Sequence, residues 1–304
     1  MELFLTAYRP FMRTMLRYRV RRARVDRSEQ ESFKRPSSVT LPYEVPEYKE
    51  EMPFCKSKEK YLKPTRLCEC RAPEIIAMAN QLGAFKQPDR EYAEACFDWV
   101  NHNIKPGITL HGALATLKEG RGDCADRTSL FIALCRTGGV PARYRMSREA
   151  ISEQYFDETS QHPGREVLGA LGFDVVPVAQ VKIGDEWIVC GAPLVPALAA
   201  LGRVPIAHFG EDPTGYVTFR LGTASIVEGL GYNTLMTRIF RRMMGGFASV
   251  NELYDEQYEK GRKLLDEIGE EEYDKSVRAS YRFTMPKVIL DKGITGDMPG
   301  ETSG

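Results

Sequence analysis

The sequence predicts a globular chain of mixed helix and strand character, and three observations carry that reading. Apolar residues recur at three- and four-residue spacing through Tyr92, Ala93, Cys96, Phe97, Trp99 and Val100, and a second apolar run begins at Cys124; both are helical patterns. The short runs Val175 to Ile183 and Glu186 to Cys190 flank Gly184-Asp185, the signature of a β-hairpin. Finally, 304 residues that are 42% hydrophobic and 28% charged supply enough apolar material for a sizeable core. That composition excludes collagen, a disulfide miniprotein and wholesale disorder.

Further classes fall away on charge and on cysteine usage. No stretch approaches the roughly 18 to 20 uncharged apolar residues that span a bilayer, and the N-terminus lacks a compact apolar core with a small-residue cleavage site. Seven cysteines, an odd and irregularly spaced set, fit reduced thiols better than a disulfide framework. The expected location is therefore cytoplasmic. Net charge is zero, yet the first 36 residues carry ten Lys/Arg against four Asp/Glu, and residues 250–304 carry thirteen Asp/Glu against eight Lys/Arg. A globally basic nucleic-acid binder is not suggested, and no nucleotide or RNA signature occurs.

Along the chain, Met1 to Arg27 interleaves Leu, Phe, Met and Tyr with seven arginines between Arg9 and Arg24, interrupted at Pro10. At helical pitch this is a basic amphipathic element, suited either to its own domain or to a membrane-peripheral or partner surface. Pro36, Pro42, Pro46 and Pro53 mark a linker. Pro73 opens a helix over Glu74 to Leu82, and Asp89 caps the next. A helix over 124–137 ends at Gly138-Gly139, and Val140 to Met146 follows as a strand. After the hairpin, Leu194 to Leu201 reads as a short helix, and Thr234 to Met244 and Glu252 to Glu272 as longer ones. Arg241-Arg242 makes the first of these a second basic amphipathic stretch. The last dozen residues are glycine-rich and expected to be disordered.

The stretch with most chemical content is Gly120-Arg121-Gly122-Asp123-Cys124, which leads into the helix that ends at Arg136-Thr137-Gly138-Gly139-Val140-Pro141-Ala142-Arg143. Glycines bring the chain in tightly, Asp123 is placed to cap, and Cys124 falls in the first helical turn. There the positive end of the helix dipole and its N–H groups favour a thiolate and can receive an oxyanion. Cys124 is the candidate nucleophile, with a small buried packing residue as the alternative.

These residues resemble the transglutaminase-like superfamily of papain-type thiol enzymes. The resemblance extends upstream through Tyr61 to Cys70, Pro73-Glu74-Ile75 and Phe97 to Val100, covering about residues 60–195. It implies an α+β fold in which a cysteine-bearing helix packs on an antiparallel sheet, with extra helices at both ends of this chain. It also implies a catalytic His on the next strand and an Asp on the strand after it. Anchored on Trp187, the His position falls on Val176 and the Asp position on Gly191. Neither relays a proton, and losing a base is ordinarily worth roughly two to four decades of rate. Replacement bases are sought among His102, His111, His162 and His208. His208 is the better candidate because Asp212-Pro213-Thr214 follows it.

The resulting organisation is a basic amphipathic segment at 1–35, a linker at 36–60, a transglutaminase-like domain at 61–220, a helical extension at 221–292 and a tail at 293–304. The leading expectation is a degenerate domain that binds a peptide or protein ligand. The alternative is an active thiol peptidase, amidase or acyl-transferase that uses Cys124 with a relocated His. A third reading pairs Cys124 with Cys135 or Cys190 in redox chemistry. No cofactor is expected. Cys55, Cys68, Cys70 and Cys96 match no standard zinc spacing, and Arg66, Arg71 and Arg121 are candidates for a basic rim around the thiol.

Overall fold

The computed structural model describes residues 41–109, 111–152, 174–191, 195–212, 218–230 and 248–291. The expectations for Met1 to Arg27, His162, Thr234 to Met244 and the glycine-rich tail lie outside them. Helix α1 spans Pro73–Gln81, with proline at its start where a missing N–H costs nothing. Helix α2 spans Asp89–Asn103, α3 Ala113–Glu119 and α4 Cys124–Thr137. The sheet strands are β3 (Ala142–Ile151), β4 (Asp174–Ile183), β5 (Glu186–Cys190), β6 (Thr218–Arg220) and β7 (Ser225–Val227). A two-residue parallel ribbon joins β1 (Lys105–Pro106) to β2 (Arg121–Gly122) just ahead of Cys124.

Four strands run antiparallel in the order β5, β4, β3, β6, and β7 pairs with β3 along the same edge as β6. The β4–β5 hairpin turns at Gly184, whose φ of 60° is the left-handed conformation that the Gly-Asp pair predicts. The strand expected over 140–146 is longer than its apolar pattern and runs to Ile151. The excess is polar. Ser147 and Glu149 are buried in it, tied by a 2.5 Å bond from Ser147 Oγ to Glu149.

Helix α4 lies at the centre of the core, and every residue from Ala125 to Thr137 is buried. Leu130, Phe131 and Leu134 join Ile75 and Met78 of α1, Phe97 and Val100 of α2, and Tyr144, Ala179 and Val181 of the sheet. Each buried Leu, Ile, Val, Met or Phe among them contributes about 1.5–3 kcal/mol. Two hydroxyls of α4 find carbonyls inside the core: Thr137 Oγ1 donates within reach of the Cys70 and Ala133 carbonyls, and Ser129 Oγ to Ala125 O.

The segment expected as a linker is packed in its described part. Tyr43 stacks edge-on against Trp99 and donates its hydroxyl to Leu117 O at 2.5 Å. The Pro53 carbonyl accepts from Asn80 Nδ2, and Cys55 N–H donates to Thr137 O. Prolines there shape a strap along the core; they do not free the chain from it.

Beyond the sheet, α5 (Pro196–Leu201) meets α6 (Ala248–Ile268), which α7 (Glu270–Ser280) and α8 (Lys287–Asp291) follow. One helix was expected over 252–272. Gly269, at φ 88°, divides it, a conformation that ends α6 and redirects the chain.

Candidate active site

The β2 strand delivers the chain to Cys124 through two glycines with distinct jobs. Gly120 takes φ 64° to close α3, and a side chain on Gly122 would lie 2.7 Å from the Asp126 Cβ and 3.1 Å from Thr116. Asp123 then caps α4, its Oδ1 accepting the N–H groups of Ala125 and Asp126 at 2.9 Å each. Two first-turn donors are thus committed to the cap and not to a substrate oxyanion. Cys124 is half-buried at this mouth.

Around this entry to α4, residues of five elements are tied together. Asp126 is buried, and its Oδ2 accepts the Thr109 hydroxyl at 2.8 Å and the Thr109 N–H at 3.2 Å. Arg127 is buried and donates from Nη2 to Asn101 Oδ1 on α2 at 2.6 Å. From α6, Asn251 clamps the backbone of Ile108, Asp255 accepts from Arg121 at 3.2 Å, and Glu259 meets Lys105 at 3.4 Å. Of the arginines proposed for a basic rim, Arg121 borders the mouth and is paired with Asp255, whereas Arg71 binds the Ser57 carbonyl elsewhere.

The sheet meets α4 where a proton relay would have to stand. Thr128, one turn beyond Cys124, donates to Pro177 O at 3.2 Å, and Tyr144 donates to Ser129 Oγ at 3.1 Å. In the β3–β4 register Tyr144 faces Ala179, Met146 faces Pro177 and Arg148 faces Val175. Side chains alternate across a strand, so these pairs share the face toward α4, and Val176, opposite Ser147, lies on the other. Anchored by sequence, the His position is Val176, which is buried; Val175 alternates onto the Tyr144 face and is 53% exposed. Neither carries a group that takes a proton. Gly191 is buried just after β5.

Two of the described histidines, His208 and His102, are engaged elsewhere. His208 Nε2 is 2.8 Å from Asp274 Oδ2 on α7, and its N–H donates to Glu211. The Asp212 that prompted its selection is held by Arg145 at 2.6 and 2.8 Å and by Arg220 at 2.8 Å. Arg145 lies on the sheet face away from α4, so His208 and Asp212 do not form a relay. His102 pairs with Glu270 at 3.1 Å, and that carboxylate raises its pKa to about 9 against the opposing effect of burial. His111 is exposed ahead of α3.

The redox pairing of Cys124 with Cys135 fails on distance, because Cys135 stands eleven residues further on, about 16 Å along the same helix. Cys135 and Cys190 are buried, and burial pushes the Cys190 thiol up to about 12. Among the described residues no three His, Cys, Asp or Glu side chains are grouped to hold a metal, and no helix is long and apolar enough to cross a membrane.

Sequence reasoning missed the buried polar residues of α4. Asp126, Arg127 and Arg136 look like ordinary surface charges of an amphipathic helix. The signal that they are not is the surrounding apolar content, which leaves α4 no wet face.

A cysteine in the first turn of a central helix packed on an antiparallel sheet defines a papain-type thiol fold. Residues 76–192 match the model of the transglutaminase-like superfamily, so this part of the chain is a transglutaminase-like domain. Among solved structures it is similar to a candidate cysteine protease from Cytophaga hutchinsonii, with 22% identity, a TM-score of 0.34, and coverage of 55% of this chain and 52% of that one. The chain thus spans about half the length of that neighbour. No curated protein matches the chain.

Proposed function

We propose that the domain binds a peptide or protein ligand at the Cys124 mouth without efficient turnover. The observation that carries this reading is the makeup of β4 alongside the cysteine helix, Val175-Val176-Pro177-Val178-Ala179, none of which can take or give a proton. The commitment of His208 to Asp274 supports it, since an imidazole bonded there is not bonded to the thiol. Amide-containing ligands are suggested by the family, an analogy of fold. The reducing cytoplasm is the proposed compartment, and the basic N-terminal segment is proposed to meet a membrane surface or a partner.

The alternative is an active thiol hydrolase or acyl-transferase. It is favoured by the preserved entry to α4, in which Gly120, Gly122 and the Asp123 cap still place a thiol at a helix N-terminus.

An array of short synthetic peptides, probed with wild type and Cys124→Ala and followed by mass spectrometry, separates the two. Retention of the same peptides by both proteins, with no cleaved or cross-linked product, is expected. Product that depends on Cys124 would establish the alternative, and absence of retention by either protein would remove the binding reading.

A further inference from the structure

Helix α6 carries two rows of side chains that meet different neighbours. Tyr254 and Tyr258 pack with Val195, Ala197 and Leu198 at α5. Asn251, Asp255 and Glu259 recur at four-residue spacing, which sets them in a line along the helix. That whole line meets the β1–β2 ribbon and the turn that follows β1. Asn251 Oδ1 accepts the Ile108 N–H at 2.8 Å, and its Nδ2 donates to Ile108 O at 3.3 Å. Arg121 donates to Asp255 at 3.2 Å, and Lys105 Nζ is 3.4 Å from Glu259. The approach is close, since a Cβ added to Gly107 would lie 3.1 Å from Asn251 Oδ1.

These attachments surround the thiol in sequence. Lys105 pairs with Arg121 and Pro106 with Gly122, so the strand that α6 holds is the one that runs into Cys124. Arg127, one turn beyond Cys124, is within electrostatic reach of Tyr258 on α6. Ile108 leads to Thr109, whose hydroxyl and N–H bind Asp126 in the first turn of α4. Helix α6 thus reaches the chain on both sides of the thiol.

The two rows differ in chemistry. Helices α5, α6 and α7 bury apolar side chains against one another, in clusters around Leu198 and Tyr273 that share no residue with the core around α4. The seam toward Cys124 is polar. Two of its three rungs are partly exposed ion pairs, of the kind that contribute little and weaken in salt, and the exposed His102–Glu270 pair extends it. A unit held together by apolar contacts and fastened to its neighbour by a polar seam opens at the seam.

We propose that α6 is a displaceable cover on the Cys124 mouth, latched by Asn251, Asp255 and Glu259, and that a ligand reaches the thiol when this latch opens. The inference rests on the reading of the Cys124 entry as the ligand mouth and adds the regulation of that site. In the closed state α6 occupies the surface of Lys105, Ile108 and Arg121 that a ligand gains on opening.

The test compares alkylation of Cys124 by iodoacetamide and by the same reactive group on a neutral polyethylene glycol chain, read by peptide mass spectrometry on the full chain. In both reactions sulfur bonds to the methylene carbon, iodide leaves and the thiol proton goes to solvent. The rate of the large reagent relative to the small one cancels changes in thiol ionisation and leaves access. Asp255→Arg, which sets like charges at one rung, is expected to raise that ratio by roughly fivefold or more. Adding Arg121→Asp, which restores an opposite pair, is expected to return it toward wild type. If Asp255→Arg does not fold, Glu259→Arg with and without Lys105→Glu is read in the same way. A ratio unchanged in the folded variant, a ratio that the charge swap leaves raised, or a Cys124 closed to both reagents in the variant overturns the proposal. No peptide enters this experiment, so the two readings fail separately. A raised ratio with no peptide retained on the array removes the binding reading alone, and peptide retention with an unmoved ratio removes the cover alone.

Discussion

Arg136→Met is expected to destabilise the domain by at least about 3 kcal/mol, because it strips partners from three buried or half-buried carbonyls at roughly 1–3 kcal/mol each. Arg136 is fully buried. Its Nε and Nη2 donate to Ala142 O at 2.9 and 2.8 Å, Nη1 to Lys63 O at 2.8 Å, and Nη2 also to Glu228 O at 2.7 Å. One guanidinium therefore joins the end of α4 to the start of β3, the turn before Cys68 and the segment after β7. Methionine matches the volume and leaves the carbonyls behind, which isolates the polar loss from a cavity. Thermal unfolding followed by circular dichroism should show Tm lower by roughly 5–10 °C. A shift below about 2 °C would mean that water or rearrangement replaces the guanidinium.

The second large effect is expected at Gly261, in the interior of α6. In an exposed helix, Gly→Ala gains about 1 kcal/mol from propensity alone. Here an added Cβ would lie 1.7 Å from the Ala197 carbonyl oxygen and 2.5 Å from its carbon, and both belong to the backbone of α5. The clash cannot be relieved by a rotamer, so α6 must move away from α5. With it go the contacts of Tyr254 and Tyr258 with Val195, Ala197 and Leu198. Overpacking of this kind costs typically 1–3 kcal/mol, enough to reverse the propensity gain. Gly261→Ala is thus expected to lower Tm and to open α6 to limited proteolysis. Because α6 also holds Arg121 and the Ile108 backbone beside Cys124, faster alkylation of that thiol should accompany the change. A raised Tm would show that the helices are not in this close contact.

Much of the frame was legible in the sequence because it rests on local physics. The Asp123 cap, the start of α4 at Cys124, the Gly184 turn and the limits of β5 follow from capping, glycine conformation and strand alternation. What was not legible depends on partners far along the chain. Residues 41–59 look like a proline-rich linker until Tyr43 meets Leu117 and Pro53 meets Asn80. The division at Gly269 was hidden because residues on both sides continue to form helix.

The candidate site was legible in its nucleophile and only in part in its surroundings. A Gly-x-Gly-Asp-Cys entry to an apolar run locates Cys124 without any tertiary knowledge. The choice between Val175 and Val176 needs the strand register, which the sequence does not reveal to within one residue. His208 was selected for Asp212, yet its partner is Asp274, 66 residues away. Arg127 escaped notice because nothing local distinguishes a buried arginine from a solvated one.

The proposed function pairs a thiol at a helix N-terminus with a neighbouring strand that offers no proton relay. Reaction with p-nitrophenyl acetate, whose leaving group needs no proton, tests it most directly, with nitrophenolate release followed against Cys124→Ala. The account predicts a Cys124-dependent burst of at most about one equivalent per protein, with an acetyl adduct on Cys124 and no steady state above the Ala variant. Sustained Cys124-dependent release, with a rate that falls as an imidazole of pKa near 6.5 is protonated, would contradict it and reveal a working base.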